Sequence, residues 1–300
     1  MSAITERKDD QSGAGFRTAR VETPSGGVYA RDYAGTGPAF VMMHGFPDNL
    51  HIYDDLVPRL TRAGRRVVTF DFLGFGASDK SQEGGYSFAQ QLSNLEAVVS
   101  HLALESAMPV AHDSSGPAAL NFALKDPKRT AAVVVLNSFY CEAPTLRYPE
   151  FIELFASKSL NKLSETIRRS PEQFAWVLNF QRAAFQAELS EQHRAHYSSV
   201  LGPIIDANFR EQPSAARAFA QMTAGLFEEV QRNTQRLPAL SSMTVPVRLI
   251  WGDRDPYLNL GVAEHLASAL KYGELVSLPA GHWVQMDEPG AVARGMLRPF

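Results

Sequence analysis

An α/β protein is predicted, with a mostly parallel central sheet, helices on both faces and an all-helical insertion. Three features of the chain predict it. Short apolar runs alternate with segments of helical spacing from Arg17 to Asn137. The alternation stops from about Phe139 to Leu240, where the chain is helical, more polar and punctuated by prolines at 144, 149, 171, 203, 213 and 238. It then resumes at Val245. Strand and helix alternating this regularly need crossover connections, hence parallel strands covered on both sides.

The elements follow in order. Met1 to Gly15 is polar and lacks the apolar centre of a signal peptide, so residues 1–16 are expected to form a flexible tail. Arg17 to Glu22, Val28 to Tyr33 and Ala39 to Met43 read as strands, the first two joined by the hairpin loop Pro24-Ser-Gly-Gly27. Ile52 to Ala63 has helical spacing through Leu56, Val57 and Leu60, and Arg66 to Phe70 is a buried-type strand. Ser87 to Leu104 is a strong helix, because Phe88, Leu92, Leu95, Val98, Val99 and Leu102 recur at three and four. A strand ending at Val110, a helix from about Ser115 closed by Asp126-Pro127, and a strand Ala131 to Leu136 complete the first half. Beyond the insertion come a strand Val245 to Trp251, a helix near Val262 to Leu270, a strand Glu274 to Leu278 and a helix around Ala291. The expected organisation is a core of residues 17–138 and 241–300 interrupted by a helical cap, 139–240. Such a cap would lie over the C-terminal strand ends, where open α/β sheets bind ligands.

Composition narrows the function classes. Of the 300 residues 45% are hydrophobic and 20% charged, which suits an ordinary globular protein with a sizeable core. A net charge of −3 gives no reason to expect nucleic acid or an anionic membrane as partner, and no apolar run is long enough to span a bilayer. Cys141 is the only cysteine, so an intrachain disulfide and a Cys-based zinc site are excluded and a reducing, cytoplasmic setting is expected. His193 and His196, near Glu188 and Glu191, read as a solvated helix face, and no metal or other cofactor is expected. Arg168, Arg169, Lys158 and Lys162 read likewise as an exposed face, and Gly74, Gly76 and Ser78 as a tight loop rather than a phosphate site. A homodimer stays open.

Chemistry enters at Val110-Ala-His-Asp-Ser-Ser-Gly116, where a strand turns directly into a helix. Such a turn strains its central residue and needs small neighbours; with Asp113 at the centre, Ala111, Ser115 and Gly116 fill the small places. Centring on Ser114 would put His112 where a small residue is needed. A capping aspartate would suit the same place, accepting a backbone N–H and offsetting the helix dipole. Two further segments decide between these readings. Asp255 opens the loop after the strand ending in Trp251-Gly252, and His282 lies in the loop after the last strand. Alone, the first could be a turn former and the second a packed histidine. Together the three stand at strand ends in the order nucleophile, acid, base.

The segments His44-Gly-Phe-Pro47, Asp71-Phe-Leu-Gly-Phe-Gly-Ala-Ser78, His112-Asp113, Gly252-Asp-Arg-Asp255 and Gly281-His-Trp-Val-Gln285 carry a resemblance. From about Arg17 onward the chain resembles the α/β-hydrolase superfamily, most of all the branch with an aspartate nucleophile. That branch holds epoxide hydrolases, haloalkane dehalogenases and fluoroacetate dehalogenases. The resemblance implies an oxyanion hole made by the backbone N–H groups of Phe46 and Ser114, with His44 holding that loop.

A carboxylate is ionised at neutral pH, so Asp113 needs no base in order to displace a leaving group from saturated carbon. His282, oriented by Asp255, would then activate water, the co-substrate, against the resulting ester. The expected substrate is a small apolar organic molecule. By resemblance, haloalkane dehalogenases place a tryptophan after the nucleophile and often a donor after His-Gly; this chain has Ser114 and Phe46. Fluoroacetate dehalogenases place arginines just after the nucleophile, where Ser114 and Pro117 offer none. An epoxide leaves as a basic alkoxide and needs a proton donor, which epoxide hydrolases supply from cap tyrosines. Tyr140, at the junction of sheet and cap, is the first expected donor and Tyr197 the second; Tyr148 is also in the cap. Trp176, expected in the cap's core, and Trp283 complete the candidate substrate-binding residues. Epoxide hydrolysis is thus the expected activity. The alternatives are a haloalkane or haloacid dehalogenase, a Ser114 esterase or lactonase, a non-hydrolytic biosynthetic enzyme on the same scaffold, and a binding module.

Overall fold

The computed structural model describes residues 4–9, 15–81 and 83–300. Among the described residues the strands are β1 (Ile4–Asp9), β2 (Gly15–Thr23), β3 (Gly26–Tyr33), β4 (Thr36–Met43), β5 (Arg65–Phe70), β6 (Ala107–Asp113), β7 (Val133–Ser138), β8 (Val247–Gly252) and β9 (Gly273–Leu278). They form one sheet in the order β1-β2-β3-β5-β4-β6-β7-β8-β9. The first three pairings are antiparallel, and every pairing from β5 across to β9 is parallel. β7 and β8 are buried throughout and β6 is buried up to its last residue, as strands covered on both faces must be.

The chain steps from β4 to β5 on one side and then crosses back to β6 on the other. Right-handed crossovers in opposite directions place their helices on opposite faces. Val57–Arg62 packs with the C-terminal helix Pro289–Leu297, while Phe88–His101 packs with Gly116–Lys125. The C-terminal ends of β4 and β6 therefore frame the crevice at the point where strand order reverses.

Two local readings change. The helix expected over Ile52 to Ala63 divides into a 3-10 turn, Leu50–Tyr53, and the helix Val57–Arg62. Pro58 explains the break, since proline is tolerated only in a helix's first turn. Ile4–Asp9, expected to lie in a flexible tail, pairs antiparallel with β2 and takes up the hydrogen-bonding groups of its open edge. Gly15 and Phe16 of that tail open β2, and residues 1–3 and 10–14 lie outside the described residues.

Between β7 and β8 the chain is helical from Glu150–Ala156 to Leu237–Ser242. Its longest helix, Pro171–Gln186, starts on Ser170, whose side chain accepts from the Gln173 N–H. His193 and His196, expected on a solvated face, lie on a short helix with no buried residue and approach the carboxylates of Asp287 at 4.0 Å and Asp55 at 3.4 Å. Helical spacing shows that a face exists; what packs against it is decided elsewhere. Among the described residues no helix is long and apolar enough to cross a membrane, and no group of three His, Cys, Asp or Glu could hold a metal ion.

Candidate active site

Asp113 ends β6 with φ at 49°, a left-handed backbone that non-glycine residues seldom adopt. Small neighbours make room for it. A Cβ on Gly45 would lie 2.4 Å from the Asp113 side chain, and one on Gly116 would lie 2.3 Å from the Phe139 carbonyl oxygen. The Ser115 hydroxyl accepts from the His112 N–H at 2.9 Å and donates toward the carbonyls of His112 and Met43, pinning the turn to β4. His44 holds the neighbouring loop. Its Nε2 accepts from the Phe72 N–H at 3.0 Å, so Nδ1 carries the hydrogen and donates to the Gly45 carbonyl.

The Asp113 carboxylate is 17% exposed, opening onto a cavity between the strand ends and the insertion. Its Oδ2 accepts from the Phe46 N–H at 3.1 Å. Its Oδ1 stands 3.7 Å from His282 Nε2. One oxygen is thus held by a backbone donor while the other faces the imidazole. Burial raises the pKa of Asp113, with His282 and the Phe46 N–H opposing.

His282 Nδ1 lies 2.7 Å from Asp255 Oδ2. Asp255 is buried and saturated with donors: the N–H groups of Tyr257 and Leu258 at 3.0 and 3.1 Å, and Asn137 Nδ2 at 3.1 Å. Burial alone would lower the pKa of His282. Asp255 with its hydrogen bond, then Asp113 and Asp48, outweigh burial and hold the imidazole above its ordinary value.

The cavity has mostly apolar walls, among them Phe46, Phe151, Leu178 and Ile205. Trp283 and Tyr197 line it as well. The Tyr197 hydroxyl has no hydrogen-bond partner among the described residues. Burial raises the phenol's pKa, partly offset by Arg182, so the group stays protonated. Tyr140 does not reach the cavity: it is buried against Asn121, to whose Oδ1 it donates at 3.0 Å. Trp176 is likewise outside. It is 67% exposed and stacks on Phe180 at the surface of the insertion, because the apolar face of its helix is wider than the face that packs. Ser114 is fully buried behind Asp113, with its hydroxyl 3.5 Å from Gln91 Nε2, so the cavity offers it no substrate.

A model of the α/β hydrolase fold family matches residues 38–289. The chain belongs to this family. As an α/β hydrolase it is similar to haloalkane dehalogenase 2 of Mycobacterium tuberculosis, at 28% identity over 89% of each chain. It is also similar to epoxide hydrolase A of the same organism, at 24% identity over 99% of this chain and 97% of the relative. Among solved structures, a hydrolase from Pseudomonas aeruginosa aligns with a TM-score of 0.72 at 19% identity, covering 93% of this chain and 97% of the other. The epoxide hydrolase CorEH aligns with a TM-score of 0.70, also at 19% identity, covering 94% and 96%. These two likenesses show the fold.

Four residues of this α/β hydrolase's site escaped the sequence reading. Asn137, with φ at 30°, bonds both the N–H and the carbonyl of Gly252 as well as Asp255. Asn208 of the insertion donates to the carbonyls of Pro47 and Asp48 at 2.8 and 2.9 Å and accepts from the Gly76 N–H, clamping the loop that carries Phe46. Arg182 lines the cavity and pairs with Asp206. Asp48 is buried against Trp283. Only Asp48 had a local signal, its place beside His44-Gly-Phe-Pro47; the others are polar residues in helices or at a strand end.

Proposed function

We propose that this α/β hydrolase opens epoxides through an alkyl ester on Asp113. The observation that carries the reading is the division of labour within one carboxylate. Oδ2 is held by the Phe46 N–H, and Oδ1 stands 3.7 Å from His282 Nε2. Oδ1 attacks the less hindered epoxide carbon, the carbon–oxygen bond breaks, and the Tyr197 phenol gives its proton to the departing alkoxide. His282 then takes a proton from water, which attacks the ester carbonyl; the oxyanion develops on Oδ2 against the N–H groups of Phe46 and Ser114. Each such donor contributes on the order of 3 kcal/mol to the transition state. Collapse releases the diol oxygen, protonated by His282, and the proton left on Asp113 returns through solvent to Tyr197.

In a single turnover in heavy-isotope water, label should enter the Asp113 side chain before it appears in product. Label confined to product, with none in that peptide, rejects the ester.

Carbon–halogen hydrolysis is the second reading, favoured by the haloalkane dehalogenase relatives and by an identical first step. A halide needs N–H donors aimed at the cavity, and the Trp283 indole N–H is already bound to Asp48 at 2.9 Å. Turnover of 1-haloalkanes faster than that of epoxides would select this reading. Labelling of Ser114 by a fluorophosphonate would select the esterase.

A further inference from the structure

Asp48 lies two residues beyond Phe46, behind the cavity wall, and is 1% exposed. Its Oδ2 accepts the Trp283 indole N–H at 2.9 Å. The Trp283 ring stands edge-on to His282 at 4.6 Å, and the rings of His112 and Phe185 pack against the same imidazole at 4.7 and 5.0 Å. Asp255 holds His282 by Nδ1 alone, so these rings are what stop it swinging about that bond.

We propose that Asp48 is a positioning residue for the water-activating step: it anchors Trp283 against His282, and its charge governs whether that imidazole keeps its proton. The proposal rests on the reading of His282 as the base.

The groups facing Asp48 come from several elements. Asp113 repels its charge and His282 attracts it. Tyr53 and Tyr197 face it as neutral phenols. His112 Nε2 lies 3.7 Å from Asp48 Oδ2. Because His112 Nδ1 is 3.1 Å from the Leu136 carbonyl oxygen, that nitrogen carries the hydrogen, and Nε2 turns a lone pair toward the acid. Neither this Nε2 nor Asp48 Oδ1 has a hydrogen-bond partner among the described residues. A buried carboxyl facing a lone pair is favoured in its neutral form. Burial first, with Asp113 adding to it and the Trp283 N–H opposing, pushes Asp48 up to about 7.

The consequence concerns the second half-reaction. His282 accepts a proton from water only when neutral. Once Asp113 is esterified its charge is gone, and Asp255 and Asp48 remain as the carboxylates acting on the ring. A neutral Asp48 frees the base, whereas an ionised one holds its proton.

Asp48→Asn separates anchor from charge, since the amide oxygen still accepts from Trp283 while the charge is removed. Asp48→Ala removes both. In the unliganded protein, the imidazole 15N titration of His282 should move down by about half a pH unit or more in Asp48→Asn. The acid limb of ester hydrolysis should move with it, while the rate of ester formation stays within about twofold. Asp48→Ala should in addition lower kcat by roughly tenfold. A His282 titration that coincides in Asp48→Asn and wild type overturns the proposal. Should these variants fold poorly, Trp283→Phe keeps a ring and removes the donor; the Asp48 carboxyl 13C titration should then move up, and an unmoved midpoint has the same adverse meaning. These titrations require no turnover, so a failure to hydrolyse epoxides leaves them interpretable.

Discussion

Asp113, Asp255 and His282 stand at or just beyond the ends of β6, β8 and β9, whereas Tyr197 and Arg182 reach the same cavity from helices of the insertion. The two regions hold their residues differently. Asp113 is bound by the Phe46 backbone N–H, and Asp255 by two backbone N–H groups together with Asn137. Tyr197 opens a π-helical turn, Tyr197–Leu201, where the wider turn redirects side chains, and its hydroxyl is bound to nothing among the described residues. A reaction step needs groups fixed in place, which backbone at strand ends supplies. Substrate choice needs an adaptable wall, and side chains on packed helices supply that.

Mutation should affect the two regions unequally, with the largest effects in the core. Asp113→Ala should lose kcat by about 10⁴-fold or more; residual turnover with unchanged product would move the chemistry elsewhere. His282→Gln should still form the ester but hydrolyse it 10²- to 10⁴-fold more slowly, on the order of general-base loss, and mass spectrometry should find one equivalent of alkyl group on the Asp113 peptide. Absence of that adduct would mean His282 serves the first step as well.

Asp48 makes a prediction about stability. Its carboxyl is near 7 in the fold against an ordinary 3.8, so the unfolded chain ionises first. Stability should therefore fall as pH rises from about 4 to 7, by up to about 4 kcal/mol. Urea midpoints should show this slope in wild type and a flatter one in Asp48→Asn; parallel slopes would remove Asp48 as its source.

Effects from the insertion should be smaller. Tyr197→Phe should slow epoxide opening by roughly 10- to 10²-fold while leaving later ester hydrolysis unchanged. Tyr140→Phe should leave kcat alone and cost about 1 kcal/mol, read from thermal or urea unfolding, through its lost bond to Asn121. A reversed ranking of these two tyrosines would erase the proposed contrast between a catalytic wall and a structural junction.

How legible the site was follows the same division. The turn at Asp113 was readable because strain at one residue demands small neighbours, and Gly45, Ser115 and Gly116 answer that demand in space. Tyr140 looked favourable because it begins the insertion, but its hydroxyl turns to Asn121, away from the cavity. Trp176 lies on an apolar helix face that stays at the surface. Asn137 and Asn208 had no local signature, since each joins backbone groups more than 100 residues away.

By itself the sequence determined the alternation of strand and helix, the inserted helical segment, and three titratable side chains at strand ends. These depend on periodicities of two and 3.6 residues and on the sterics of one tight turn, all of them local. Which tyrosine meets the cavity, which carboxyl is buried near neutrality and which amide clamps the loop beside Asp113 were decided only by tertiary packing. A helix has several faces and a buried polar group needs distant partners, so those choices exist only once the segments are brought together.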